Sequence, residues 1–158
     1  MTLQLRHASR VARVVLSIGF VLAIAAQGQS PKVDSLVLHL RLSRERAADA
    51  VVAAFAQSGL GVTNTTTSLV ESDQGATGGF STTNRRIVRA VLFGPDSGIT
   101  IVITGEEVRT DTESGILMKR LRIDNRAGGN GGKVWKKMVV AARMLDSASV
   151  PAAALPEE

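Results

Sequence analysis

Few residues in this chain could carry acid–base or nucleophilic chemistry, and histidine is the scarcest of them. The sequence has two histidines, His7 and His39, and no cysteine. Zinc usually takes several imidazole or thiolate ligands, and neither histidine has a second such residue near it. A serine nucleophile would need His39 as its base, but the chain has no G-x-S-x-G sequence. We therefore expect a protein that is not an enzyme and that uses no metal and no cofactor.

Four acidic residues stand in two close pairs, Glu71 with Asp73 and Glu106 with Glu107. Two carboxylates about 5–9 Å apart are the catalytic pair of most glycoside hydrolases. Sites that bind sugars or bases also use exposed aromatic rings, whereas this chain has one Trp, four Phe and no Tyr. We interpret the four acids as surface charges.

A glycine-rich stretch, residues 127–132, follows a predicted strand and precedes a helical pattern that begins at Lys133. Free backbone amides at the start of a helix favour anions. A P-loop, however, needs glycine at position 127 and serine or threonine at position 134, where this chain has Ala127 and Val134. The stretch therefore predicts a flexible connection.

Basic side chains are concentrated in two segments that both have strand-like patterns, and they are Arg85, Arg86, Arg89, Lys119, Arg120 and Arg122. If these strands pair, alternate members form a basic stripe on an exposed sheet face, where anionic lipid headgroups, cell-wall polymers or an acidic partner could bind. Phe80 adds a large apolar group within the segment 74–84, which is rich in Gly and Thr. The predicted partner-binding residues are Phe80, Arg86, Lys119, Arg120 and Arg122.

The periodicity of apolar residues predicts the elements that position these side chains. Alternating residues predict five strands, and spacing of three to four residues predicts two amphipathic helices. The strands are expected at 36–42, 62–72, 86–93, 99–110 with a bulge at Gly105, and 116–123; the helices at 44–59 and 133–145. The segment 74–84 is expected to be a flexible loop.

The resulting order, β-α-β-β-β-β-α, predicts one α+β domain over residues 35–147. Its fold would be a single antiparallel sheet of about five strands with two helices on one face. This order resembles half of a TATA-binding-protein-type fold, also called a helix-grip arrangement, and domains of the outer-membrane assembly lipoprotein BamC have a similar order. The resemblance covers about Asp34 to Ser147 and implies a fold rather than a function. A ferredoxin-like α/β sandwich is the alternative.

The segment before this domain has the pattern of a secretory signal peptide, predicted at residues 1–26. Arg6, Arg10 and Arg13 precede the apolar run 14–26, and Ala23-Ile24-Ala25 supplies a cleavage site. The run is shorter than the roughly 20 residues that span a bilayer, although an uncleaved anchor is the alternative. Residues 27–34 are expected to be a linker, and residues 148–158 a disordered tail.

Charge and location together limit the classes of partner that this protein is expected to bind. The chain has 19 basic and 14 acidic residues, and the segment 1–26 holds three of the basic ones and none of the acidic ones. Cleavage therefore leaves 16 basic residues against 14 acidic ones, a net charge of +2, which disfavours nucleic acid as a partner. With no cysteine to carry a lipid, the mature protein is expected to be secreted or periplasmic, with no stable membrane span.

Two functions are compatible with these observations. The first is a small, exported, non-enzymatic binding or accessory domain of the cell envelope. It would act through the exposed sheet face or the 74–84 loop, on an envelope protein or a cell-wall polymer. The alternative is a carrier of a small apolar ligand, held in a cavity between the sheet and the C-terminal helix, beneath Trp135 and Met138.

Overall fold

Six antiparallel strands form one sheet, and two helices cover one of its faces. This computed structural model describes residues 31–79, 81–95 and 98–148. The strands are β1 (Ser35–Leu40), β2 (Val62–Thr65), β3 (Leu69–Gly78), β4 (Thr82–Phe93), β5 (Ile99–Asp111) and β6 (Leu117–Ile123), and the helices are α1 (Arg44–Gln57) and α2 (Gly129–Ala148). The predicted α+β class and single antiparallel sheet are confirmed. The segment predicted to be a signal peptide, Phe80 and residues 149–158 lie outside the described residues.

The central strand of the sheet is β5, which is paired along both of its sides. All twelve residues of β4 pair with it on one side. On the other side β1 pairs with the first half of β5 and β6 with the second half. Where β6 ends and β1 begins, the amide of Asn125 donates to the carbonyl of Val33 over 2.9 Å, and the amide of Val33 donates to Oδ1 of Asn125 over 2.9 Å. The strands β6 and β1 therefore follow one another along the same edge of the sheet.

The core lies between the sheet and the helices because alternate strand residues point to that side. Ile99, Ile101 and Ile103 of β5 are fully buried there, in the same core cluster as Phe55 of α1 and Met138 of α2. Full burial of one such side chain stabilises the fold by about 1.5–3 kcal/mol. No helix in the described part of the chain is long and apolar enough to span a membrane.

The sixth strand arises because the segment 62–72 is not one strand, as the sequence predicts, but parts of two. It turns at residues 66–68 between β2 and β3, where Oγ1 of Thr66 accepts from the amide of Leu69 over 3.0 Å. A threonine side chain that satisfies nearby amides favours such a turn over continued pairing.

The prediction of a flexible loop over 74–84 is wrong, because β3 extends to Gly78 and β4 begins at Thr82. The glycine that suggested a loop, Gly75, instead serves a β-bulge, since the register between β3 and β4 shifts between Asp73 and Ala76. Gly75 has a φ of +74°, a conformation that other residues rarely adopt. The two strands thus continue as a hairpin through most of this segment.

Two other glycine predictions also differ from the structure. Gly105 makes no bulge, because β5 pairs with β4 without interruption at Val88 and Gly105. The glycine-rich stretch 127–132 is helical from Gly129 onward, so the predicted flexible connection is much shorter than its composition indicates.

Candidate binding surface

The face of the sheet opposite the two helices is covered by no element in the described residues, and we call it the open face. On it Val37, Val102, Val91 and Leu69 stand side by side in register across β1, β5, β4 and β3. We call these four residues the apolar row. Val37 is 56% exposed and Val91 42%, and Phe93, two residues beyond Val91 on β4, is 48% exposed. Val102 and Leu69 are half-buried. Adjacent apolar side chains that remain in part exposed are typical of an interaction surface.

A network of ion pairs lies beside the apolar row on the open face. Arg89 of β4 bridges two neighbouring strands: its Nε donates to Oε2 of Glu71 over 2.7 Å, and its Nη1 donates to Oε2 of Glu106 over 3.0 Å. Further along the same strand, Nε of Arg85 donates to Oδ2 of Asp73 over 3.0 Å. The acids that the sequence suggests as surface charges are therefore fixed in cross-strand pairs.

The electrostatics of these pairs favour the ionised forms of Asp73, Arg85 and Arg89. The hydrogen bond from Arg85 lowers the pKa of Asp73, against the effect of partial burial, and Asp73 in turn raises the pKa of Arg85. Burial opposes the charge of Arg89, but its hydrogen bonds and Coulombic attraction to Glu71 and Glu106 together outweigh burial and raise its pKa. A general acid or base needs a pKa near the working pH. Neither Asp73, Arg85 nor Arg89 is tuned for proton transfer.

The two basic strands do not pair with each other, as the predicted basic stripe requires, because β5 lies between β4 and β6. Arg86, moreover, lies on the helix side of β4. It shares that side with Val88 and Ala90, both fully buried, and its own side chain is only 9% exposed. Its Nε donates to Oε2 of Glu107 over 3.0 Å, and its Nη1 donates to Oγ1 of Thr77 over 3.0 Å. The prediction of Arg86 as an exposed residue of the stripe is therefore wrong.

The three predicted basic residues of β6 are exposed, but they divide between the two sides of the strand. Arg120 and Arg122 alternate onto the open face, whereas Lys119 projects to the helix side, the side of the buried Ile123. In the described parts of the chain, none of Lys119, Arg120 and Arg122 has a hydrogen bond or an ion pair through its side chain. Phe80, the fifth predicted residue, lies outside the described residues.

His39 lies at the border of the open face, next to the apolar row. Its Nδ1 is 3.0 Å from Oγ1 of Thr100, and no carboxylate among the described side chains bonds to the imidazole. The described residues contain no group of three or more His, Cys, Asp or Glu side chains that could hold a metal ion.

The space beneath α2, where the sequence suggests a ligand cavity, is occupied by side chains. Met138 is fully buried, and a methyl group added at Gly105 would lie 2.9 Å from its Sδ. Two open pockets of the described residues lie elsewhere. One, about 320 Å³, opens between the end of β6 and the start of α2, and the other, about 370 Å³, opens beside Ser43. The carrier hypothesis stays a prediction.

The apolar row is the feature that reasoning from the sequence missed, although a signal for it exists. Val37, Val91 and Val102 occupy the outward positions of three alternating strands, where polar residues are the usual choice.

Comparison of the chain with protein-family models gave no match, and comparison with curated proteins found none that is significantly similar.

Proposed function

We propose that this chain is an exported, non-enzymatic binding domain of the cell envelope and that it contacts a partner protein through the open face. The observation that supports this most directly is the apolar row, in which Val37 and Val91 remain 56% and 42% exposed beside the half-exposed Phe93. Leaving these side chains in water gains nothing for the isolated domain. Covering them with a partner removes apolar area from water at about 25 cal/mol per Å².

The surroundings of the apolar row support a protein as the partner. Stable protein interfaces combine an apolar centre with a polar rim. The network of Arg89 with Glu71 and Glu106 supplies such a rim, with side chains that are about a quarter to a third exposed. Stacking on a sugar polymer would call for more exposed aromatic rings than Phe93, the one ring that the described residues place on this face.

The experiment is affinity capture from envelope extracts on the immobilised protein, comparing the wild type with Val91→Lys. A matched control exists in Val140→Lys on α2, because Val140 is 41% exposed and Val91 42%. We expect a captured envelope protein whose recovery falls about tenfold with Val91→Lys, the loss typical of a central interface residue, and is unchanged with Val140→Lys. Urea unfolding verifies that both variants are folded.

Two results would contradict the proposal. One is capture that Val91→Lys and Val140→Lys reduce equally, which would remove the open face from the interaction. The other is a hydrolytic turnover of the purified protein that His39→Ala abolishes, which would make the protein an enzyme.

A further inference from the structure

The outer edge of β6 is free in the described part of the chain. The strand pairs with β5 on one side, and no described strand pairs with its other side. Six of its seven residues are exposed. An edge strand presents a row of backbone N–H and C=O groups to which another extended chain can pair.

The charge of β6 is also unsatisfied, unlike that of β4. Arg85, Arg86 and Arg89 of β4 each bind a carboxylate. On β6 the acid directly opposite Arg122 is Glu106, but the carboxylate of Glu106 is already bound by Arg89. Lys119, Arg120 and Arg122 thus present three positive charges along one free edge.

This charge decides which chain could pair with the edge. A second copy of β6, in either direction, would place lysine and arginine beside lysine and arginine, and like charges opposite each other destabilise a strand pair. An acidic chain would gain at the same positions. Leu121, 41% exposed between Arg120 and Arg122, faces the other side of the strand and can contact an apolar side chain of the added strand.

We infer that the β6 edge binds an extended acidic segment of a partner protein, which adds to the sheet as a further strand beside β6. Acidic residues two positions apart pair with Arg120 and Arg122, and the apolar residue between them lies against Leu121. Main-chain hydrogen bonds supply affinity in this mode, and alternate side chains supply specificity. This surface is separate from the apolar row, so either proposal can fail without the other.

The test is the fluorescence anisotropy of a labelled peptide of about nine residues that alternates Glu and Val, titrated with the purified protein, since β6 itself has seven residues. We expect saturable binding that weakens at least tenfold with Arg120→Glu/Arg122→Glu and also weakens with added salt. The matched control is Lys136→Glu/Arg143→Glu on α2, two exposed residues whose reversal changes the net charge equally. Both this control and Val91→Lys are expected to leave binding of the peptide unchanged.

A second pair of peptides separates strand addition from simple charge attraction. Each carries N-methyl groups on one of the two alternate sets of amides, so one of them cannot donate to β6 whichever way the peptide lies. At least one of these peptides is expected to lose binding tenfold or more. Equal binding of the parent and both methylated peptides would overturn the inference, and so would binding to phosphatidylglycerol vesicles without any binding to the peptide.

Discussion

Arg86 is a charged side chain that the fold holds almost out of contact with water. Its side chain is 9% exposed, and that of its partner Glu107 is 19% exposed. Removing one member of such a pair leaves the other charge poorly solvated and without its partner. We expect Arg86→Met to lower the free energy of unfolding by about 1–3 kcal/mol, less than for a fully buried pair, because Glu107 also lies 3.8 Å from Arg109. Urea denaturation measures the change.

A double variant and a control give this prediction its specificity. Arg86→Met/Glu107→Leu removes both charges and is expected to recover most of the loss, since no charge is then left without a partner. Arg85→Met removes a cation that is 54% exposed and is expected to cost less than about 1 kcal/mol. If Arg85→Met and Arg86→Met lowered the free energy of unfolding equally, burial would not determine how much these ion pairs contribute to stability.

The side of β4 on which Arg86 lies could be predicted from the sequence, whereas the partner of Arg89 on β5 could not. The periodicity of β4 already places Val88, Ala90 and Leu92 on the core side, and Arg86 lies two residues before Val88, so parity alone excludes it from the exposed face. The contact of Arg89 with Glu106 is different. It depends on the register between β4 and β5, which the pattern of either strand alone does not specify.

At the scale of elements, Gly105 is a point of close approach between α2 and β5. A Cβ at this position would lie 2.9 Å from Sδ of Met138 and 3.2 Å from Cβ of Ile123, both in the core. Gly105→Ala therefore forces the helix or the side chains to move, and we expect a loss of about 1–3 kcal/mol in the free energy of unfolding, typical of overpacking. Denaturation in urea, with fluorescence of Trp135 as the signal, measures it.

Gly61→Ala is the control, because nothing lies within 4 Å of a Cβ at Gly61 and its backbone is not in the left-handed region. This variant is expected to leave stability within about 0.5 kcal/mol of the wild type. If Gly105→Ala were as stable as Gly61→Ala, the packing of α2 on β5 would be looser than these distances imply.

Glycines also account for the wrong predictions of loops and bulges from the sequence. In 74–84 three glycines and several Thr and Ser predict a loop, yet pairing between β3 and β4 overrides that composition. Gly75 is used for the bulge and Gly105 for close packing, and only the register distinguishes these uses. The long alternation of Ile99, Ile101 and Ile103, by contrast, predicts its strand correctly, because an apolar repeat of two residues fits a strand and does not fit a helix.

At the scale of the whole molecule, location decides which partners the binding surfaces can meet. Export would remove Arg6, Arg10 and Arg13 and leave a net charge of +2, from 16 basic and 14 acidic residues. The long-range field of such a protein is weak, so attraction to an acidic partner depends on the local cluster at β6. The two proposals for binding and the proposal for export are therefore connected through the location and the net charge of the protein, although each has its own experiment.

Expression of the full chain in a bacterial host with a secretion pathway tests export. We expect the protein outside the cytoplasm, with a mass that corresponds to cleavage after Ala25, Ala26 or Gly28, as measured by intact-protein mass spectrometry. Leu16→Arg/Val21→Arg interrupts the apolar run and is expected to leave an uncleaved precursor inside the cell. Arg10→Lys/Arg13→Lys keeps the basic start and should be exported normally. Full-length wild-type protein in the membrane fraction would instead support an uncleaved anchor, and the net charge at the membrane surface would then include the three arginines that cleavage removes.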